Sequence, residues 1–407
     1  MDRTQEPPAA TGGRDRRLSA TRASAGTLLQ FVRDGSARSR AQLADVAGLG
    51  RSTVSQRVGL LIERQLLNEV GEGESTGGRP PMILEFNPRA GLVLAADLGA
   101  THSRLAVVDL AGTPLAERSD DIDIGEGPEI VLPWAIRQFE ELLDEVGGGD
   151  DEVVGIGVGV PGPVEFRAGR TVNPPIMPGW DGVPIREPFE SRWPVPVLVD
   201  NDVNIMAMGE YWTHWRHVDD LLFVKLGTGI GAGIVVGGQI HRGAQGAAGD
   251  IGHVRLSTAA ATCRCGNEGC LEAVAGGGAL SAALRAEGRD VTNTRDVVEL
   301  VRAGDTRAAQ LVREAGRALG EVLAGVINFL NPAVIVLGGD LAHAHQQIFA
   351  GVREICYQRS TALATRHLEF ARSRLDDEAG ITGAAVMAIE HVLSPEAVDR
   401  ALAAASA

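Results

Sequence analysis

Two segments of the chain repeat one pattern: an apolar strand, a turn of glycine and threonine, and a second apolar strand. In the first, Leu92 to Ala96 leads into Asp97-Leu98-Gly99-Ala100-Thr101 and returns as Leu105 to Val108. In the second, Leu222 to Lys225 leads into Leu226-Gly227-Thr228-Gly229-Ile230-Gly231-Ala232-Gly233 and then Ile234 to Val236. Such hairpins offer backbone N–H groups and a hydroxyl to phosphate oxygens, with Asp97 placed near a hydrated Mg²⁺. No long helix follows the second turn at once and its spacing differs from a dinucleotide fingerprint, so a Rossmann reading is rejected. Two copies imply a duplicated α/β fold whose lobes clasp a nucleotide. A third unit, Ala333 to Leu337 followed by Gly338-Gly339-Asp340, places a glycine turn where the adenosine end would lie.

Between the repeats, Val195 to Val199 runs into Asp200-Asn201-Asp202-Val203-Asn204, with Met206 to Tyr211 continuing as a helix. Two carboxylates and two amides delivered by one strand suit a polyol, and an Asp there can take a proton from a sugar hydroxyl attacking a γ-phosphate. An Asx-rich turn capping the helix explains the same residues equally well. Further on, Gly249-Asp250-Ile251-Gly252-His253 precedes Cys263, Cys265 and Cys270, with Glu272 just beyond. Three thiolates and one imidazole make a closed tetrahedral Zn²⁺ site with no position for an activated water, so the metal is structural. It would hold His253 with its second ring nitrogen toward the cleft, beside Asp250 and Glu272. Cys356 reads as a small core residue.

The N-terminal part has a different character. Up to Pro80 the chain carries 12 arginines against 9 acidic residues, a net of +3, and the remainder carries 26 basic against 44 acidic residues, −18. An acidic body is repelled by DNA, whereas a basic module is attracted. Ala23 to Asp34 and Ala41 to Val46 show helical spacing, Gly48-Leu49-Gly50 makes a tight turn, and a third helix runs from about Arg51 to Arg64. Its apolar positions are Val54, Val58, Leu61 and Ile62, and its other face presents Arg51, Ser52, Thr53, Ser55, Gln56 and Arg57 to phosphates or base edges. Gly50 stands where a Ser N-cap is usual, and glycine caps nearly as well. Two short strands, Leu66 to Val70 and Met82 to Leu84, flank a loop from Gly71 to Pro81. The loop holds Gly77-Gly78-Arg79-Pro80, a wing whose Arg79 could enter a minor groove. A three-helix protein-interaction module with a solvated polar face is the plainer alternative.

The polar N-terminus lacks the apolar core of a signal peptide. The most apolar stretch, Val322 to Leu337, is broken by Asn328, Asn331 and Pro332 and reads as helix–turn–strand rather than a membrane span. A cytoplasmic protein without membrane contact is the expectation. Lys225 is the only lysine, and aromatic residues make up only 4%, which argues against a large base-stacking surface.

Together these motifs resemble the ROK family of bacterial repressors and sugar kinases, in the actin/hexokinase-like superfamily. The marks are the G-H…C-x-C-G-x-x-G-C-x-E block, the N-D-x-N segment, the paired phosphate turns and the GGRP wing, with Gly380 to Ala385 as a weaker closing turn. The resemblance implies a winged helix-turn-helix over residues 21–88 after a disordered tail at 1–20. A two-lobed body would follow, its N-lobe at 91–205 and its zinc-bearing C-lobe at 206–381, with a C-terminal helix at 382–407 packing back on the N-lobe. It implies that Asn201 and Asp202 bind sugar hydroxyls, with Asp202 the base in kinases. Asp250, His253 and Glu272 would hold the sugar ring, and Asn173 and Gly162 would line its side. Gly99, Thr101, Gly227, Thr228, Gly229 and Gly339 would line the nucleotide side. Two departures stand out: Asp250 where the family usually carries Glu, and Ala100 where its kinases usually carry Gly. The expected function is sugar-responsive regulation of carbohydrate genes, as a repressor on an operator duplex, by a homodimer or tetramer. The first alternative is an active glucokinase-like enzyme that also binds DNA and uses ATP and Mg²⁺. The second is a regulator that senses a protein partner.

Overall fold

A computed structural model describes residues 23–72 and 82–404. They form two compact units, one built from the residues up to Ala90 together with those from Leu393 onward, the other from Gly91 to Val392.

The first unit opens with α1 (Ala25–Arg33), α2 (Arg40–Ala47) and α3 (Arg51–Glu63). Local chemistry sets their ends. The Ser24 and Ser39 hydroxyls accept from the Thr27 and Gln42 amides at 3.2 and 3.3 Å, and Gly48 closes α2 in the left-handed region (φ 63°). Gly50 precedes α3 in extended backbone and supplies no side-chain cap. Strands β1 (Leu67–Glu72) and β2 (Met82–Phe86) then pair antiparallel, Leu67 opposite Phe86. Leu28, Leu29, Leu43, Val54, Val58, Leu61, Leu67 and Leu84 form the core of this unit. The expected tail at 1–20 and the wing tip with Arg79 lie outside the described residues.

The second unit is built on two five-stranded sheets of the same design. In the first, β3 (Leu92–Leu98), β4 (Ser103–Asp109) and β5 (Pro114–Asp120) make an antiparallel meander. Helix α4 (Pro128–Val146) crosses to β6 (Val153–Val160), parallel to β3. A two-strand ribbon of β7 (Val164–Glu165) and β8 (Arg170–Thr171) and then α5 (Arg186–Arg192) lead to β9 (Val197–Asn201), parallel to β6. The spatial order is β5-β4-β3-β6-β9. After α6 (Asp202–Glu210) the second sheet repeats this scheme with β10 (Leu221–Leu226), β11 (Ile230–Val236) and β12 (Gln239–Ile240). Helices α7 (Leu271–Ala275), α8 (Gly277–Ala286), α9 (Thr294–Arg302) and α10 (Thr306–Leu330) cross to β13 (Val334–Gly338). Helices α11 (His345–Arg359) and α12 (Ala362–Thr365) cross to β14 (Glu369–Arg372), giving β12-β11-β10-β13-β14. In both sheets the three meander strands come first and two parallel strands are added on one side, the duplication that the repeated hairpins require. The helix–turn–strand expected around Asn331 is present: Asn331 caps α10 at φ 50° and β13 follows. No helix among the described residues is long and apolar enough to cross a membrane.

Each half ends in a helix, α6 after β9 and α13 (Ala379–Val392) after β14, and the two pack on each other. Their axes approach closely because the contact is glycine. A Cβ on Gly383 would lie 1.7 Å from the Ile205 carbonyl oxygen, and one on Gly209 2.4 Å from that of Ala379. Helix α13 also packs on β3 and β6 of the first sheet. The C-terminal segment, expected as one helix, is two, because Ser394 and Pro395 interrupt it. The Ser394 hydroxyl accepts from the Ala397 amide at 3.3 Å and starts α14 (Pro395–Ala404). That helix packs on α1, and the Asp399 carboxylate accepts from the Gly26 amide at 3.0 Å, a favourable anion at a helix N-terminus.

Candidate functional site

The turns of both glycine hairpins open onto one cleft of about 430 Å³ in the second unit. Its lining brings together Asp97, Gly99, Thr101, Gly162, Asn201, Asp202, Gly227, Thr228, Gly229, Asp250, His253, Glu272 and Gly339, residues up to 242 positions apart in the chain. Asn173 is not among them: it is exposed, in the left-handed region at φ 42°, with its amide donating to Asp181 at 2.7 Å. Its neighbours Pro175 and Ile176 reach the rim instead.

The Asp200–Asn204 segment does both jobs its residues suit. Asn201 caps α6 by accepting from the Val203 amide at 2.9 Å, while its Nδ2 donates to the Gly162 carbonyl at 3.0 Å. Capping therefore starts the helix at Asp202, four residues before the expected Met206. Asp200 is buried and fully engaged: Asn204 Nδ2 donates to it at 2.9 Å and Arg242 Nε at 2.7 Å. Arg242 itself lies over the Phe166 ring at 3.8 Å from the centroid. Asp200 thus holds the floor together, and Asp202 is the carboxylate presented to the cleft. Its Oδ2 accepts from Lys225 Nζ at 2.5 Å. Asp97 lies in the same region, its carboxyl against the start of α13 at Gly380. Burial pushes the Asp97 pKa up to about 6, opposed chiefly by the Lys225 charge and assisted by that of Asp202. Lys225 is held protonated because the attraction of Asp202 and Asp97 exceeds the burial cost.

The four expected metal ligands converge. The donor atoms of His253, Cys263, Cys265 and Cys270 all lie within 4.8 Å of one another, with Cys265 Sγ to Cys270 Sγ at 3.7 Å and His253 Nδ1 to Cys263 Sγ at 3.6 Å. The edges of a tetrahedron with Zn–S and Zn–N bonds of ordinary length are about 3.5–3.8 Å, so the donor set fits Zn²⁺. Burial and the neighbouring sulfurs push the Cys270 thiol up to about 12, whereas the Asn267 backbone amide draws Cys265 down to about 7. Three thiols this close together need a cation to ionise together. His253 faces the cluster through Nδ1, and its Nε2 is 3.9 Å from Asp250 Oδ1 on the cleft side. Glu272, in the first turn of α7, accepts from the Ile230 amide at 3.1 Å and ties the loop to the second glycine hairpin. Gly229 leaves room for that carboxylate, since a Cβ there would lie 2.3 Å from Glu272 Oε2.

In the first unit, Arg51, Ser52, Ser55 and Gln56 are exposed on α3 and Thr53 is half-buried, while Val54, Val58 and Leu61 face inward. Arg57 is half-buried and donates to the Ala23 carbonyl, so that guanidinium is partly used within the fold. Motif reading missed Lys225, Arg104 and Arg295, which line the cleft, and Arg242, which pairs with Asp200 beneath it, and named Asp340 only as part of a glycine turn. The one available signal was composition: in a chain with 37 arginines, the single lysine ends the strand before the glycine turn.

A family model described as ROK family matches residues 93–391. The xylose repressor of Caldicellulosiruptor bescii is 29% identical over 381 residues, spanning 90% of this chain and 95% of its own. The glucokinase of Thermotoga maritima is 30% identical over 317 residues, spanning 74% of this chain and 98% of its own. Among solved structures, a ROK family transcriptional regulator described as a homologue of the E. coli MLC protein superposes with a TM-score of 0.81 at 25% identity, covering 93% of this chain and 98% of that one.

Proposed function

The chain belongs to the ROK family, and on that premise we propose that it is a sugar-responsive DNA-binding transcriptional regulator, acting as a repressor of carbohydrate genes. One observation carries this reading: the similarity to repressors runs through both units, whereas a whole glucokinase accounts for about three quarters of the chain and leaves the rest unmatched. The part beyond a kinase includes three helices and a two-stranded hairpin, the elements of a winged helix-turn-helix. Its α3 would lie in the major groove with Arg51, Ser52, Thr53, Ser55 and Gln56 toward phosphates and base edges, and Arg79 on the wing would reach the minor groove. Arg57 would act mainly as an anchor for the start of α1. A reader of this kind pairs half-sites, which supports a homodimer or a dimer of dimers.

The effector would be a sugar or sugar derivative held by Asp202, Asn201, Asp250, His253 and Glu272, with Zn²⁺ on His253, Cys263, Cys265 and Cys270 keeping the imidazole in place. Asp250 is one methylene shorter than the glutamate usual in the family, which would enlarge the pocket on that side. A ligand can shift DNA affinity only by binding the two states of the protein unequally. The route available is covalent: α13 starts beside the cleft at Gly380 and ends two residues before α14, which packs on α1 of the reader. The test is a gel-shift assay on duplexes from the promoter region beside the protein's own gene, at low salt, with a panel of pentoses, hexoses, amino sugars and their phosphates. Release by one of these compounds is the expected result. Retarded DNA that responds to none of them would sink the sugar-sensing part, and no retardation in any ligand state would sink the whole.

A further inference from the structure

We propose that Lys225 is the resident cation of the cleft: its ammonium is paired with Asp202 in the cleft that Asp97 and Asp340 also line, which opposes a phosphate-bound divalent metal there, so the site takes its ligand without Mg²⁺. The inference goes beyond regulation by a sugar and does not depend on DNA binding.

The sheet explains why a lysine fits there. On β10, Lys225 is in register with Gly231 of β11 on one side and with Gly338 of β13 on the other. Neither neighbour has a side chain, so the four-carbon stem leaves the centre of the sheet without cross-strand competition. It runs beside the glycine turn, where a Cβ on Gly227 would lie 3.6 Å from Lys225 Cε. The stem ends at Asp202 Oδ2, 2.5 Å away. The duplicated halves make the placement systematic. Asp97 on β3 is in register with Gly159 of β6, as Lys225 on β10 is with Gly338 of β13, and each is followed by Leu-Gly. The two equivalent positions of the repeat thus carry opposite charges at one cleft.

A divalent ion serving phosphoryl transfer needs carboxylate oxygens and room for its waters. Here Asp202 is already paired with Lys225 and Asp340 with Arg295, at 3.1 Å, and a further cation would meet the repulsion of both. The same bond occupies the Asp202 oxygen that would otherwise receive a sugar hydroxyl proton. A polyol can still bind, because the remaining polar groups of the floor need no metal.

The test is a Mn²⁺ titration of the zinc-loaded full chain, followed by the electron paramagnetic resonance signal of free Mn²⁺. Wild type and Lys225→Arg, which keeps the charge, should leave the signal unchanged. Lys225→Met, which keeps the stem and removes the charge, should bind about one Mn²⁺ per chain at least tenfold more tightly than wild type, and adding Asp202→Asn should abolish that binding. Equal Mn²⁺ binding by wild type and Lys225→Met, or none by a folded Lys225→Met, overturns the proposal. If Lys225→Met does not fold, zinc-loaded wild type alone decides by calorimetry against the same sugar panel. Affinity equal within twofold in Mg²⁺-free buffer and in Mg²⁺ supports the proposal, and a gain above tenfold with Mg²⁺ overturns it.

Discussion

The two halves of the second unit share a strand order and differ in what they hang on it. The first half fills its core with aromatics: Phe139 meets Phe189 and Trp193 edge-on at 6.1 and 6.2 Å, and Trp180 is fully buried. The main core of the second half is aliphatic, drawn from α8 to α11 and the faces of β10 and β13, with Phe370 its one buried ring. The first half keeps a carboxylate at the end of its central strand, and the second keeps an ammonium there. The second half alone inserts the His/Cys loop between β12 and α7. Duplication therefore supplies the cleft, and the inequality of the copies supplies its chemistry. The first half brings Asp97, Asn201 and Asp202 to the cleft, and the second brings Lys225, Asp250, Glu272 and the His/Cys donor set.

Breaking the His/Cys donor set of the second half should have the largest effect. Cys270→Ser is expected to lose about one zinc per chain and to cost the loop about 5 kcal/mol or more, because metal binding is folding energy in such a site. Zinc analysis and limited proteolysis between residues 251 and 272 read this. An unchanged zinc content or an uncleaved loop would erase the distinction between the halves. The joint between the halves comes next. Gly383→Ala puts a Cβ against the Ile205 carbonyl where α13 meets α6, and overpacking of that kind costs about 3 kcal/mol, measurable as a fall in the urea midpoint. A neutral outcome would mean that the two terminal helices can separate freely.

The smallest expected effect belongs to the first half. The folded pKa of Asp97 is raised to about 6 from an ordinary value near 3.8, so its ionisation opposes folding above that lower value. Asp97→Asn should therefore stabilise the chain by about 2–3 kcal/mol above pH 6. The gain should shrink as pH falls from 6 toward 4 and vanish below, where Asp97 is protonated in both states. Thermal melts at pH 7 and pH 4 read the difference. The same substitution should leave Lys225 bonded to Asp202, so sugar affinity should change little.

Much of this arrangement was legible in the chain because its signals are local. The helices of the first unit announce themselves through apolar spacing and the Gly48 turn, and the His/Cys cluster through four donors within eighteen positions. The repeated strand–glycine–strand units declared the duplication, although the second return strand starts at Ile230 rather than Ile234. Less local features escaped. Strand β14 has four residues with one of them buried, too few for a periodicity to register. The Arg242–Asp200 pair spans 42 positions, and nothing in either residue's neighbourhood marks its partner. Lys225 was visible as an oddity of composition, but its meaning depends on the registers with Gly231 and Gly338, which only the assembled sheet provides. The split between α13 and α14 was written in Ser394-Pro395, yet the destination of α14 on α1 depends on a contact between the two ends of the chain.

The coupling between cleft and reader is tested most directly by measuring it from the sugar side. Linkage requires that a sugar which weakens operator binding tenfold be itself bound tenfold more weakly when the operator is present, a coupling of about 1.4 kcal/mol. Calorimetric titration of the effector into free protein and into the protein–operator complex should return that ratio. The same sugar dissociation constant in both titrations, for a sugar that fills the cleft, would contradict a sugar-controlled repressor.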